Sequence, residues 1–526
     1  MAVLEKIERD NIIVVNPENK NMAKIESPDK NNYDKVIFFG TLIVLLSLTI
    51  PLFIWPVKSL DYLNVIKGFI LGKFGLVYVW LTILTLVFVL WLAFSKYGQI
   101  NFGDSEPQFS TFNWASMLFC AGVATGILYW GTIEWAYYYV TPPFGVEPRS
   151  VEAIEWASTY GMFHWGVSGW AYYVLPTIAI GYAFYIRKIP RMRISSACQG
   201  LIGKQSTGLF GKFMDMLFMV GLLGSSGTSL GLGTPMIAAG FVLLFGFENT
   251  YLFKVLVIIF CTVIFATSVY LGLEKGIKRL SNINTTMALL FLAFVLIAGP
   301  TSFILKMTTN SFGLMVDNFI RMSLWTEPLG DTNFVEDWSI FYWAWWVAVG
   351  PFMGIFVAKI SKGRTIKQIV LGSLFYGSMG SAIYYGILGN YAIHQELSGV
   401  LPITEMVQNG QAPEAIVTIV SSLPFGKIIL ALFCVIGIIF MATSFDSSSY
   451  TLASCATKEL NINDEPSRWQ RLFWAFALVL LPIALMMVGG LNSLKTAALI
   501  SSLPLILVYF MMAASLLISF KKYGVK

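Results

Sequence analysis

Charge is scarce in this sequence. Asp, Glu, Lys and Arg make up 12% of the 526 residues, about half the share of an ordinary soluble domain. A chain so poor in charge and 56% hydrophobic buries its apolar surface in lipid, which excludes an ordinary water-exposed globule. Histidine is rarer still. His164 and His394 are the only two and stand far apart, too few for a histidine metal centre or for an enzyme built on a nucleophile and its base. The five cysteines (Cys120, Cys198, Cys261, Cys434, Cys455) have no paired spacing, which argues against a disulfide framework or a thiolate metal site. Phosphate-binding loops and nucleotide motifs are missing, which argues against a primary pump. Residues 1–35 lack the apolar core of a signal peptide and read as a polar cytoplasmic tail. The net charge of +6 lies in loops between apolar runs and does not read as a nucleic-acid surface.

What remains is apolar length. Runs that reach or approach the roughly 20 residues a helix needs to cross a bilayer lie at 36–56, 76–94, 113–139, 157–186, 213–232, 255–273, 287–305, 338–358, 369–393, 428–453, 473–488 and 497–520. They predict an all-α polytopic membrane protein with twelve transmembrane helices. The apolar stretch after Leu232 is expected to be broken by Gly233-Thr234-Pro235 and is not counted. Basic residues follow the even spans: Arg187, Lys188, Arg191 and Arg193 after the fourth, Lys359, Lys362, Arg364 and Lys367 after the eighth, Lys521 and Lys522 after the twelfth. The odd loops are acidic or near neutral, as with Asp317, Glu327, Asp331, Glu336 and Asp337 before the eighth span. The positive-inside rule then places both termini in the cytoplasm.

A repeat is visible in the glycines. Gly122 to Gly126 in the third span and Gly350 to Gly354 in the eighth are both Gly-x-x-x-Gly, five spans apart and therefore in opposite orientation. Inverted repeats with interrupted helices in matched positions point to a transporter's midplane site. The same spacing also serves plain helix packing, and both readings stand at this point. The division that follows is a tail (1–35), two added helices (36–95), a first repeat (113–305), a second (338–520) and a short C-terminus (521–526).

Aromatic residues cluster inside two spans. The fourth carries Trp165, Trp170 and Tyr173, at about 0°, 140° and 80° on a helical wheel. The eighth carries Trp343, Trp345 and Trp346. Interfacial belts sit at span ends, whereas the fourth-span residues lie well inside a run. Core packing is one reading. The other is a cage for a quaternary ammonium, which has no hydrogen-bond donor and is held by ring faces at up to ~2 kcal/mol each when desolvated.

At these residues the chain resembles the betaine/carnitine/choline transporter family, from Lys35 to Lys522. The resemblance is carried by residues 338–368 (WSIFYWAWWVAVGPFMGIFVAKISKGRTIKQ), 164–176 (HWGVSGWAYYVLP), TSLGLG at 228–233 and TSFDS at 443–447. It implies two inverted five-helix repeats, spans 3–7 and 8–12, assembled as a homotrimer in the plasma membrane. It implies that Trp165, Trp170, Tyr173 and Trp346 form a central aromatic box, with Trp343 and Trp345 beside the pathway. Val349 stands where the family often has a further tryptophan. The resemblance also implies a sodium site made by the Thr443 and Ser444 side chains and the carbonyls of Phe440, Cys120 and Val123. Back-bonding to the helix is the plainer role for those hydroxyls. Family exchangers carry an arginine in the fifth span; 213–244 has none. Proton-coupled choline carriers carry an acid at the end of the glycine segment, where this chain has Gly126.

Sodium symport of a methylated ammonium compound of betaine, choline, carnitine or trimethylamine type is therefore expected, with sodium as coupling ion and no cofactor. A sodium-independent exchanger, a sodium-coupled amino-acid carrier and a channel are the rivals. Glu134, an intramembrane acid, either draws the cation or pairs within the fold. Asp446 and His164 are expected to be structural. Family members that sense osmotic stress have long charged tails; the sequence after Phe520 is KKYGVK, so osmotic activation is not expected.

Overall fold

The computed structural model describes residues 32–122, 125–271, 277–458 and 465–523. It is an all-α polytopic membrane protein. Among the described residues, eight helices are long and apolar enough to cross a bilayer, and two further pairs qualify as bent units. In chain order the main elements are α1 (Lys35–Ile54), α2 (Pro56–Phe94), α3 (Thr111–Ala121), α4 (Thr125–Val140), α5 (Val151–His164), α6 (Val167–Gly181), α7 (Leu209–Phe245), α8 (Tyr251–Leu271), α9 (Ile277–Ala298), α10 (Thr301–Leu324) and α11 (Phe341–Ile360). A helical run at 366–397, α12, alternates α and wider π turns, and is followed by α13 (Ala412–Ser421), α14 (Gly426–Ala456), α15 (Arg468–Val488) and α16 (Gly490–Tyr523).

Local chemistry sets many of the starts. Pro56 stands at the first turn of α2, where its missing N–H costs nothing. Ser110 and Ser150 cap α3 and α5, and Thr365 with Gln368 forms a capping box at the head of α12. The larger of two core clusters is rich in rings, with α11 lying along α6 and α16 along α7, and a smaller apolar cluster joins α7, α8, α14 and α15.

The third span breaks as expected: α3 and α4 meet at 60°. The fourth is broken too, at Trp165-Gly166, which the wheel argument did not foresee. Three expectations fail. First, α11 runs unbroken through Gly350-Pro351-Gly354. Its glycines serve close packing. The space a Gly350 side chain would fill is taken by the Tyr509 hydroxyl, which donates to the Tyr172 carbonyl at 2.8 Å, and that of Gly354 by Pro176. Second, Gly233-Thr234-Pro235 does not end the fifth span. α7 continues to Phe245, because Pro235 removes one ladder bond while α14 packs tightly on Gly233 and Gly240. Third, the seventh span ends at Ala298. The chain turns by 110° at Gly299-Pro300 into α10, a helix where a loop was expected. Its exposed Leu305, Phe312, Val316 and Ile320 share one face, and its acidic and polar residues hid it as a loop in the sequence.

On the basic side, residues 32–34 strap the end of α14. The Asp34 N–H donates to the Ala456 carbonyl at 2.7 Å and Tyr33 pairs with Thr457. Asp34 caps α1 and meets Lys212 of α7 at 2.7 Å. Burial works against ionisation there, but the Lys212 ammonium and the N–H groups of Ile37 and Val36 hold the Asp34 carboxyl below the ordinary aspartate range. A depressed carboxyl stabilises the fold above its unfolded pKa of about 4 and loses that contribution as pH falls through its folded value. Asp34→Ala is expected to cost about 1–2 kcal/mol at neutral pH. In thermal unfolding, the gap to wild type should close once the pH falls below both values.

Candidate functional site

The two breaks face each other across a set of rings. At the end of α5, Gly166 takes a conformation in which a side chain would meet the Met162 carbonyl at 2.7 Å. The helix therefore stops, and the His164 carbonyl is left without a helical partner. The Trp346 indole N–H donates to it at 2.9 Å. Gly169 makes this possible, since a Cβ there would lie 2.8 Å from Trp346 Nε1. The indole of α11 thus seals the broken end of α5.

Around this joint Trp165 stands perpendicular to Trp346 (centroids 5.1 Å apart, 87°) and to Trp345 (5.3 Å, 80°). Tyr173 is edge-on to Trp346 at 5.4 Å and to Trp170 at 5.1 Å. The third-span break forms the opposite wall. Gly122 rests on Trp170, where a Cβ would come within 3.2 Å of Cζ2, and Gly126 rests on Trp345 and Trp165 at 3.2 and 3.6 Å. Gly377 of α12 also packs on the Trp170 ring, with its carbonyl close to Gly122. All five rings are buried. Perpendicular pairs set one ring's electron-rich face against another's positive edge.

Trp165, Trp170, Tyr173, Trp346 and Trp345 are thus gathered. Trp343 is not. It points to the far side of α11, against Phe163 at 5.7 Å and His164 at 5.6 Å, and packs the scaffold. Trp165 sits at the end of α5 and not within α6, so the expected 140° arc does not describe it; the break delivers it to the same place.

Glu134 is fully buried on α4. Its carboxylate accepts hydroxyl hydrogens from Tyr138, Tyr342 and Tyr385. His164 Nδ1 lies 3.7 Å from it and 3.0 Å from the Tyr138 hydroxyl, and Nε2 meets the Ser339 hydroxyl at 3.0 Å. Tyr342 and Tyr385 in turn flank Trp165, with centroids 6.0 and 6.1 Å away. The acid therefore stands one layer behind the rings. The sequence reading missed all three tyrosines; only Tyr138, four residues after Glu134 on one helix, could have been found from spacing.

Lys495 was missed as well. It is buried at the head of α16, donates to the Asp337 carbonyl at 2.9 Å and lies 3.4 Å over the Trp338 ring. A lone lysine in the odd loop after the eleventh span, 489–496, which carries no other charge, is the signal that could have singled it out.

Of the residues expected to hold sodium, Val123 lies outside the described residues. Thr443 donates to the carbonyls of Ile439 at 3.0 Å and Phe440 at 3.2 Å, the back-bonded arrangement, which leaves its oxygen lone pairs for a cation. The first turn of α4 meets α14 near this level: Gly233 of α7 packs against both Thr125 and Met441. Thr125 and Thr234 are buried there with hydroxyls that have no protein partner. Neutral oxygens of this kind suit a hard monovalent cation, so the donor set fits sodium.

Comparison with known proteins adds the following. Residues 36–524 match the family model described as BCCT, betaine/carnitine/choline family transporter. The chain is 35% identical over 426 residues to a carnitine transporter of Acinetobacter baumannii, covering 81% of this chain and 78% of that one. It is 35% identical over 429 residues to the uncharacterized transporter YeaV of Escherichia coli, covering 81% of this chain and 89% of that one.

Proposed function

Since the chain belongs to the betaine/carnitine/choline transporter family, and is a carrier rather than an enzyme, we propose that it moves a methylated ammonium compound across the plasma membrane by alternating access, in symport with sodium. The observation that carries this reading is the joint between the two breaks, where Trp346 caps the broken α5 and Trp165, Trp170, Tyr173 and Trp345 surround it. A site whose rings are welded to helix ends moves when those helices move. Ring faces select a methyl-covered cation over an ordinary ammonium, which gives up more hydration on leaving water.

Carnitine heads the substrates to test, because a 35% identical relative carries that name; betaine, choline and trimethylamine follow. A repeat pairing of 113–305 with 338–520 and assembly as a trimer complete the proposal. The apolar face of α10 offers a surface for the latter. Binding of these four compounds to the purified protein, with and without sodium, tests the reading. Preference for an unmethylated amino acid over all of them would overturn it.

Sodium dependence has its own variant. Thr443→Ala with Ser444→Ala is expected to raise the sodium concentration for half-maximal uptake at least tenfold, while binding measured at saturating sodium changes little. Uptake as sensitive to sodium as in the wild type would remove these two residues from the ion site.

A further inference from the structure

We propose that a basic cleft at the membrane boundary, remote from the rings, holds the headgroup of an anionic phospholipid. The cleft has a volume of ≈ 250 Å³ and lies between the short turns that join α6 to α7 and the last turn of α16. Three cations line it: Arg187 just beyond the fourth span, Lys204 in the joining turns and Lys522 at the end of α16. Among the described residues no carboxylate lies within ion-pair distance of any of them. The nearby Asp104 is instead 3.7 Å from Lys188.

The cleft is built rather than accidental. Arg187 donates to the Tyr523 hydroxyl at 3.1 Å with its guanidinium 4.6 Å over that ring, which fixes its plane and leaves other N–H groups of its fork for a ligand. The floor is pinned to α16, with Gly200 N–H donating to Ser515 Oγ at 2.9 Å and Ser515 Oγ to the Ala197 carbonyl at 2.7 Å. Three cations around one small volume, one of them a planar fork, suit a phosphodiester.

Its place selects the source of that phosphate. Arg187 and Lys522 both follow directly on apolar spans, so the cleft sits at headgroup depth. Ile518 of its lining is 40% exposed, and Leu201 and Leu517, next in sequence to lining residues, are each 42% exposed. An acidic head beside exposed hydrocarbon describes a lipid of the lysine-rich leaflet and not a soluble anion. Basic clefts between membrane helices bind acidic headgroups in this way.

The test uses the full-length protein in mixed micelles with phosphatidylglycerol, with phosphatidylcholine, or with glycerol 3-phosphate, reading retained lipid by native mass spectrometry and the thermal midpoint in parallel. Phosphatidylglycerol should be retained and raise the midpoint, and the other two should not. Retention should weaken about fivefold for each of Arg187→Gln, Lys204→Gln and Lys522→Gln, and roughly a hundredfold for the three together. The triple variant should keep the wild-type midpoint in phosphatidylcholine, which shows that it folds. Undiminished phosphatidylglycerol retention by the folded triple variant, or equal retention of phosphatidylcholine, would overturn the proposal. So would an equal midpoint shift with glycerol 3-phosphate, which would make the ligand a soluble phosphate.

Discussion

Trp346→Leu is expected to lower substrate affinity by roughly 30-fold or more, the equivalent of the ~2 kcal/mol that one desolvated ring face contributes to a bound cation. The loss has two parts, and they can be separated. Leucine removes the ring, and it also removes the N–H that satisfies the His164 carbonyl at the end of α5. An orphaned buried acceptor costs about 1–3 kcal/mol, and here that cost falls on the helix end that positions Trp165. Trp346→Phe keeps a ring but still loses the N–H. If Phe restores most of the affinity while the thermal midpoint stays low in both variants, the ring serves recognition and the N–H serves the fold. Unchanged binding in the leucine variant, measured by calorimetry on folded protein, would take Trp346 out of the cage. Trp170→Leu is expected to behave similarly, with an added packing loss because Gly122 and Gly377 both pack closely on that ring.

How much of this could be read beforehand follows from what sequence encodes locally. Apolar length marks a span wherever the helix is straight and lipid-facing, so α1, α8 and α14 were legible within a few residues, while α15 and α16 begin five and seven residues before their apolar runs. The gathering of rings was legible because Trp165, Trp170 and Tyr173 interrupt an apolar run far from its ends. Breaks were harder. Glycine spacing marked both Gly122–Gly126 and Gly350–Gly354, yet only the first is a break. The difference lies in what faces the glycines: Tyr509 and Pro176 approach the second pair and hold the helix together, a contact across more than 150 residues of chain that no local pattern carries. α10 reads as a loop in the sequence for the converse reason. Its Asp317, Asn310 and Lys306 looked like a solvent-facing connection, while one side of the helix packs on α5 and α12. The partners of Glu134 come from three separate elements, and only folding places them together.

Those partners decide what Glu134 does. A carboxylate buried at this depth without donors would be too costly to keep charged; three phenolic O–H groups make it affordable, each a charge-assisted bond of about 1.5–3 kcal/mol. They also engage its oxygens, so an effect of the acid on a cation held at the rings is expected to act through space and through its tyrosines. Tyr342 and Tyr385, donating their hydrogens to a negative charge, present more electron-rich rings toward Trp165, and the charge itself favours a cation nearby. For two unit charges about 10 Å apart at an effective dielectric of about 20, such an attraction is about 1.7 kcal/mol. Glu134→Gln, which keeps the shape and removes the charge, should therefore weaken choline or trimethylammonium binding by roughly tenfold. A zwitterion such as betaine or carnitine should lose less, because its own carboxylate already opposes Glu134. Glu134→Leu strands three buried phenols and should lower the thermal midpoint sharply. The contrast between net-charged and zwitterionic ligands is the diagnostic measurement: a glutamate that only braces the fold would weaken both to the same extent, and a glutamate that touches the ammonium directly would weaken both by far more than tenfold.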